Sequence, residues 1–192
     1  MKKRAFTIIE ISILAVILVI VACLVIPFSI DDTKQASRVL EWRALQERIT
    51  HAFSAAKAYG DSDRAKIEVY IMKSISDEGF QRIEPYKIKY MNGNKASCFG
   101  KFDNVYAVGE DNVIGFKWYE DGLREQKGRM FYDINGKKGP NRWGKDVFGV
   151  NIYEGKVEPL CARKSHKEIV EDCSKDGTGC CCSYYYLVGG NF

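Results

Sequence analysis

The most restrictive feature of this sequence is a run of twenty uncharged residues, Ile11–Ile30, that begins directly after Glu10. Twenty helical residues rise about 30 Å, which matches the hydrocarbon core of a bilayer. Three basic residues, Lys2–Arg4, precede the run, and Lys- and Arg-rich flanks stay on the cytoplasmic side of a membrane. The run therefore predicts one membrane-spanning helix with a cytoplasmic N-terminus and an extracytoplasmic remainder.

A plain membrane anchor accounts for the apolar run but leaves Glu10 unexplained. A carboxylate at a membrane edge is costly, and a partner or a function usually accounts for it. In an uncut chain Lys3 or Arg4 could be that partner. If the chain is cut after Ala5, the new amine of Phe6 could instead pair with Glu10 of a neighbouring copy.

The basic leader, the small residue, the letters FTIIE and the unbroken apolar helix resemble the N-terminus of type IV prepilins and type II secretion pseudopilins. The resemblance implies that prepilin peptidase cuts between Ala5 and Phe6 and methylates the amine of Phe6. Glu10 would then be the fifth mature residue and serve assembly, and Pro27 would kink the helix. The family prefers glycine before the cut, and Ala5 departs from that pattern.

This resemblance also implies a location and a set of partners. The chain would cross the bacterial inner membrane once, with its head extracytoplasmic, and then join a pilus or pseudopilus. Its partners would be prepilin peptidase, other pilin or pseudopilin subunits, the inner-membrane assembly platform and the membrane itself. The resemblance does not separate major from minor subunits, or pilus from secretion and DNA-uptake systems.

A second interpretation rests on the letters IVAC, Ile20–Cys23, which resemble a lipoprotein cleavage box. Cys23 would then be a lipidated N-terminus, and the protein a membrane-anchored extracytoplasmic binding module with a disulfide-rich head. Two features oppose it: Glu10 interrupts the apolar centre of the signal, and the apolar run continues through Phe28 where a lipoprotein linker is polar.

Beyond the apolar run the sequence becomes amphipathic. Apolar residues recur at intervals of three and four from Val39 to Ala56, which predicts a helix that packs one stripe on a globular head. Gly60 is the expected C-terminal cap. The predicted organisation is a leader (1–5), a membrane and assembly helix (6–30), an amphipathic stem (31–60) and a head (61–192).

The head shows short runs that alternate apolar and polar residues, which are typical of strands. The segment Ala65–Met72 fits either a strand or a helix. The predicted strands are Tyr86–Met91, Asn104–Gly109, Asn112–Glu120, Gly128–Ile134, Asp146–Tyr153 and Cys182–Gly189. A long N-terminal helix followed by a mostly antiparallel sheet predicts a pilin-like α+β fold.

Six cysteines follow the apolar run, and an even number there predicts disulfides in an oxidising compartment. Neighbouring residues have Cα atoms about 3.8 Å apart, which is too close for the usual disulfide. Adjacent cysteines are therefore not expected to pair, and the three consecutive ones should each reach one of the other three, in an order that the sequence leaves open. The six are Cys98, Cys161, Cys173, Cys180, Cys181 and Cys182. Zinc is a weaker alternative, because His166 lies among them but the spacings fit no zinc motif.

The loop after the predicted strand Gly128–Ile134 offers oxygen ligands among glycines. Asp133, Asn135 and Asp146 are weak candidates for calcium, which some pseudopilin heads bind in a C-terminal loop. The spacing fails the EF-hand pattern. The alternative is a structural turn whose Asn and Asp side chains bond to their own backbone.

Composition and motifs argue against two classes of function, nucleic-acid binding and catalysis. Net charge is +4, and Lys2–Arg4 supply three of those charges, so the remainder is nearly neutral and predicts no nucleic-acid binding. The two histidines, His51 and His166, lie in no recognised nucleophile or metal motif. We therefore predict a structural subunit that needs no cofactor and is not an enzyme.

Overall fold

The computed structural model describes residues 8–60, 63–96, 102–120 and 125–190. Within the first of these ranges the backbone is described throughout, but the side chains at positions 22 and 24–32 are not. The chain divides into two compact units, Met1–Ser37 and Arg38–Asn191.

The first helix, α1, runs over 51 residues, Ile8–Ala58. It ends at the predicted glycine, because Gly60 has a φ of +76° and its N–H donates to the Lys57 carbonyl at 2.9 Å. A positive φ is a conformation that glycine adopts without a steric penalty. The predicted continuous helix and its cap are confirmed over the described residues.

In the second unit, α1 contributes one buried stripe to the head. Its residues follow the predicted spacing of three and four, and each is 8% exposed or less. They are Val39, Trp42, Leu45, Ile49, Ala52, Phe53 and Ala56. The amphipathic stem is therefore packed on one side, as its periodicity predicts.

The head is built on one antiparallel sheet of six strands in sequence order, so each strand pairs with the next one along the chain. The strands are β1 (Phe80–Arg82), β2 (Asn104–Val108), β3 (Asn112–Trp118), β4 (Gln126–Asp133), β5 (Val147–Tyr153) and β6 (Val157–Pro159). The other elements are α2 (Arg64–Ile75), a 3-10 turn (Gly136–Lys138), α3 (His166–Asp172) and α4 (Cys182–Tyr185). The coarse prediction of an α+β protein with an antiparallel sheet is confirmed.

The two faces of the sheet bury different clusters, because successive strand residues point to opposite sides. One face carries Ile114, Met130 and Val150 into the cluster that also holds the α1 stripe. The other face carries Val113 and Phe131 into a smaller cluster under the loops. The interiors of β3, β4 and β5 are thus covered on both faces, whereas the edge strand β1 is exposed. The helices α1 and α2 contribute to the first of the two clusters.

Four predicted strands are confirmed, and the segment that fitted either a strand or a helix is a helix. The hairpin of β2 and β3 and the strands β4 and β5 lie where the alternating pattern predicts them. The ambiguous segment Ala65–Met72 is helical, in α2. Asp63 begins that helix by accepting the N–H of Ala65 at 3.0 Å, which satisfies one unpaired donor of the first turn.

Two predicted strands are wrong. Tyr86–Met91 forms only isolated bridges, in which Lys89 pairs with one residue on each side, because its neighbours there are a tight turn and a loop. Cys182–Gly189 begins with helix α4, in which the N–H of Tyr186 donates to the carbonyl of Cys182 at 3.2 Å. Alternating aromatic residues favour a strand locally, but tertiary context overrides that preference.

Candidate functional site

The described start of α1 presents apolar side chains on all sides. Eleven large apolar residues there have exposed fractions between 49% and 84%: Ile8, Ile9, Ile11, Ile13, Leu14, Val16, Ile17, Leu18, Val19, Ile20 and Val21. Glu10 lies among them, in the first turn of the helix, and its side chain is exposed. An apolar surface of this extent marks a site that contacts another protein or a membrane.

Within the described side chains, no helical stretch is at once long enough and apolar enough to cross a membrane.

Several predictions about the N-terminus concern positions outside the described residues. They are the leader 1–5, the cleavage site between Ala5 and Phe6 and the methylation of Phe6. The predicted kink at Pro27 is also untested: the backbone is helical at this position, and its side chain is not described. These stay predictions. The exposed Glu10 and the exposed Cys23, on which the two interpretations of the N-terminus depend, are both described.

The stem is fixed to the head through polar contacts as well as through its apolar stripe. The indole Nε1 of Trp42 donates to the Ser183 carbonyl at 2.8 Å, and Arg43 Nε donates to the Tyr186 carbonyl at 2.8 Å. The Trp42 ring also stacks on Phe148 with centroids 5.1 Å apart. The sequence gives no sign of this use of α4 carbonyls, because the segment looks like a strand.

Two disulfides close the C-terminal part of the head. Cys161 bonds to Cys181 and Cys173 to Cys182, with Cα–Cα distances of 5.1 and 4.9 Å. The predicted rule, in which consecutive cysteines pair with distant ones, is confirmed for these two bonds. The two bonds join the segments before and after α3 to the start of α4, so they hold in place the carbonyls that α1 contacts.

The third predicted disulfide follows from the other two. Cys180 is buried, and Cys98 lies outside the described residues. With Cys161 and Cys173 already bonded, the predicted arrangement leaves Cys98 for Cys180. Peptide mapping of the unreduced protein should recover a peptide that links these two residues; recovery of both as separate alkylated thiols would contradict this prediction.

Asp146 holds the loop after β4 through its carboxylate. It is fully buried, and its two oxygens accept the N–H of Arg142 at 2.6 Å and the N–H of Asn141 at 2.8 Å. Burial raises the pKa of this carboxyl, while the two N–H donors act in the opposite direction. The predicted structural turn, in which an acidic side chain bonds to nearby backbone, is confirmed here.

Asp133 anchors the same loop from the end of β4. It is also fully buried, accepts the phenol of Tyr86 at 2.6 Å and accepts the N–H of Asn135 at 3.3 Å. Burial is the main cause that raises its pKa, to about 7; repulsion from Asp146 adds to this, and the Tyr86 hydrogen bond opposes it. The two acidic residues proposed from the sequence therefore lie close enough for Asp146 to raise the pKa of Asp133.

The predicted calcium ligands only partly fit a cation. The Oδ1 atoms of Asn135 and Asn141 are buried and have no donor among the described residues, and hard cations prefer such oxygens. The oxygens of Asp133 and Asp146, however, already accept protein donors. The described residues contain no group of three or more His, Cys, Asp or Glu side chains that could hold a metal. Calcium binding stays a prediction, and a rise in Tm with calcium but not with magnesium would support it.

The pKa of Asp133 sets an expected dependence of stability on pH. Between about pH 4 and pH 7 the folded carboxyl keeps a proton that the unfolded one, with a pKa of 3.8, has lost. The free energy of unfolding should therefore fall as pH rises through this window. Tm measured across the window should fall less in Asp133→Asn than in the wild type. The exposed control Asp176→Asn should keep the wild-type slope of Tm against pH. If Asp133→Asn also keeps that slope, the prediction is contradicted.

A buried glutamate that the sequence analysis missed ties α2 to the sheet. Glu68 is 2% exposed and accepts Trp118 Nε1 at 2.7 Å, Tyr106 Oη at 2.9 Å and Asn104 Nδ2 at 2.9 Å. Donors from β2 and β3 thus bond to both side-chain oxygens of Glu68, so this buried polar group has hydrogen-bond partners. Its position between the buried Ile67 and Ile71 on α2 is the only signal that the sequence gives.

Comparisons with known proteins add no identification. The chain has no significant match among protein-family models, curated proteins or solved structures.

Proposed function

We propose that this protein is a structural subunit, a pilin or pseudopilin, of a type IV pilus or a type II secretion pseudopilus. The observation that carries the proposal is the start of α1, where apolar side chains from Ile8 to Val21 are exposed on all sides with Glu10 among them. The same helix continues into a stripe that is buried in the head. One half thus suits contacts with other subunits, and the other suits contacts within its own chain.

The proposed sequence of events begins with an uncut chain whose Lys2–Arg4 stay at the cytoplasmic face of the bacterial inner membrane. Prepilin peptidase removes the leader before Phe6, so the three positive charges of the leader are lost. It then methylates the new amine. The amine of Phe6 then pairs with Glu10 of the adjacent subunit as the assembly platform adds it. In this account the disulfide-linked head stays outside the membrane, and the protein catalyses no reaction.

The location of the protein before and after leader removal tests this proposal. In cells that contain prepilin peptidase, shearing should release the protein in a high-mass fraction, and in cells that lack the peptidase it should stay in the membrane. Ala5→Leu should block release because the residue before the cut must be small, whereas Ala5→Gly should preserve it. Release that does not depend on the peptidase would contradict the proposal.

A second candidate function rests on the exposed Cys23, which could be a lipidated N-terminus of a membrane-tethered binding module. The two candidates predict different results for Cys23→Ser. A lipoprotein would lose its lipid and keep its signal segment, whereas a pilin-like subunit would be processed and released as in the wild type. We favour the pilin-like subunit, because Glu10 interrupts the apolar centre of a lipoprotein signal and the apolar run continues beyond Cys23 through Phe28.

A further inference from the structure

Strand β1 forms one edge of the sheet, and every second residue of it bonds to β2. The N–H of Ile83 donates to the Val105 carbonyl at 2.9 Å. The carbonyl of Gly79 accepts the N–H of Gly109 at 3.2 Å. In an antiparallel pair the bonds to one neighbour recur at alternate residues. The odd-numbered residues of this segment therefore face β2, and the backbone groups of the even-numbered residues point away from the sheet.

The outward backbone groups of β1 belong to Phe80 and Arg82. Within the described part of the chain, no hydrogen bond joins these groups to another segment. All three residues of β1 are exposed, and the apolar side chain of Phe80 is 39% exposed. A row of unpaired N–H and C=O groups at a sheet edge is a template on which another strand can pair.

The opposite edge of the sheet, β6, is protected against such pairing. The N–H of Leu160 donates to the Gly149 carbonyl at 3.0 Å, so the even-numbered residues of β6 face β5 and Pro159 faces away. Proline has no N–H to donate, and natural sheets use it to protect an edge. Val157, the other outward residue of β6, is only 8% exposed. An additional strand therefore finds a complete set of donors and acceptors at β1 but not at β6.

We propose that β1 pairs antiparallel with β1 of a second copy of this chain, about a twofold axis at Gln81. In this register Phe80 of each copy lies opposite Arg82 of the other copy, and the two residues exchange their outward N–H and C=O groups. Each aromatic ring then neighbours a guanidinium across the strands, which is a favourable cation–π pair. The two Gln81 side chains also lie opposite each other, and each amide can donate to the other and accept from it.

The two neighbouring registers are less favourable than the one centred on Gln81. An axis at Arg82 would place two guanidinium groups directly opposite each other, and like charges there are destabilising. An axis at Phe80 would bring Glu78 into the ladder, but Glu78 lies in the turn before β1, where Gly79 has a φ of +98°. The self-complementary register thus favours a second copy over an unrelated strand as the partner.

The size of the contact sets its expected strength. A strand of three residues buries far less than the roughly 1,200 Å² of a stable interface, so the dimer is weak and forms only at high local concentration. A twofold contact also closes on itself, whereas a filament grows through head-to-tail contacts. The inference therefore does not depend on filament assembly.

Sedimentation of the full-length protein in non-ionic detergent, over a wide range of protein concentration, tests the proposal. Arg82→Pro removes one outward N–H from each copy and no bond to β2, and proline is tolerated at an edge where the N–H faces solvent. Arg82→Ala is the matched control, because it also loses the guanidinium and its bond to the Asp103 carbonyl but keeps the N–H. The two lost hydrogen bonds, at about fivefold each, should make the Arg82→Pro dimer about 25-fold weaker than that of the control. The two variants should have similar Tm values.

Disulfide crosslinking tests the register without a proline. In the proposed dimer the Cα atoms of the two Gln81 residues lie about 4.5 Å apart, within the disulfide range. In a Cys23→Ser background, which removes the exposed thiol of α1, Gln81→Cys should crosslink on mild oxidation several times faster than the exposed control Glu84→Cys. Equal crosslinking of the two cysteine variants would overturn the proposal. So would a wild type that stays monomeric at every concentration, or association that is equal in Arg82→Pro and Arg82→Ala, as expected for contacts through the apolar start of α1.

Discussion

Glu10→Ala is expected to leave the protein in the membrane and to remove it from the sheared filament fraction. In the proposed filament the carboxylate pairs with the Phe6 amine of a neighbour, away from water. Removal of one partner from a buried ion pair costs about 3–5 kcal/mol, because the other charge stays buried without compensation. Each 1.4 kcal/mol is a factor of ten in an equilibrium, so assembly should fall by at least about a hundredfold.

The measurement for this variant compares the amount of protein in the sheared fraction with the amount in the membrane. Glu47→Ala is the matched control, because Glu47 lies on the same helix with a side chain that is 76% exposed and only 3.8 Å from His51. The control should assemble like the wild type. Normal filament yield from Glu10→Ala would refute the assembly role of Glu10.

Trp42→Ala is expected to cause the largest loss of stability among single substitutions in the stem. The Trp42 side chain is fully buried, stacks on Phe148 and donates to the Ser183 carbonyl. Loss of the ring leaves a cavity, and such substitutions cost about 3–5 kcal/mol in the free energy of unfolding. For a chain of this size, this cost should lower Tm by roughly 10 °C.

Thermal and denaturant unfolding of the full-length protein check this expectation. Leu40→Ala is the control on the same helix, because Leu40 is 63% exposed and its change should cost less than about 0.5 kcal/mol. Trp42→Phe should lie between the two, since it keeps an aromatic ring but leaves the Ser183 carbonyl without its donor. A similar Tm for Trp42→Ala and Leu40→Ala would mean that the stem does not contribute to the head's core.

Sequence periodicity correctly predicts those helices and strands that bury the same face along their whole length. The stripe from Val39 to Ala56 is buried as predicted, because a helix repeats its exposed face every 3.6 residues. The predicted strands β2 and β3 are also correct, because both alternate on either side of the three-residue turn Gly109–Asp111. In these elements local preference and tertiary packing agree.

Elements that depend on distant partners could not be predicted. The segment after Cys182 is helical in part because disulfides and the Trp42 donor fix its start, and none of these contacts is encoded in the local pattern. The pairing of Cys161 with Cys181 was open for the same reason. The three-residue strands β1 and β6 are too short to show alternation.

The same distinction between local and distant contacts applies to the candidate sites. The role of Asp146 as a turn-forming side chain was predictable, because Asp commonly accepts nearby backbone N–H groups. The network around Glu68 was not, since it joins residues from α2, β2 and β3 that lie far apart in the sequence. A local sequence pattern shows which side chains can form hydrogen bonds or carry charge. The fold determines which of them come into contact.

The identity of the mature N-terminus tests the central claim most directly. The measurement is intact mass and N-terminal peptide analysis of the protein purified from its own membranes. The account predicts a chain that starts at Phe6 with one methyl group on its amine. A chain that starts at Met1, or one that starts at a lipidated Cys23, would contradict it.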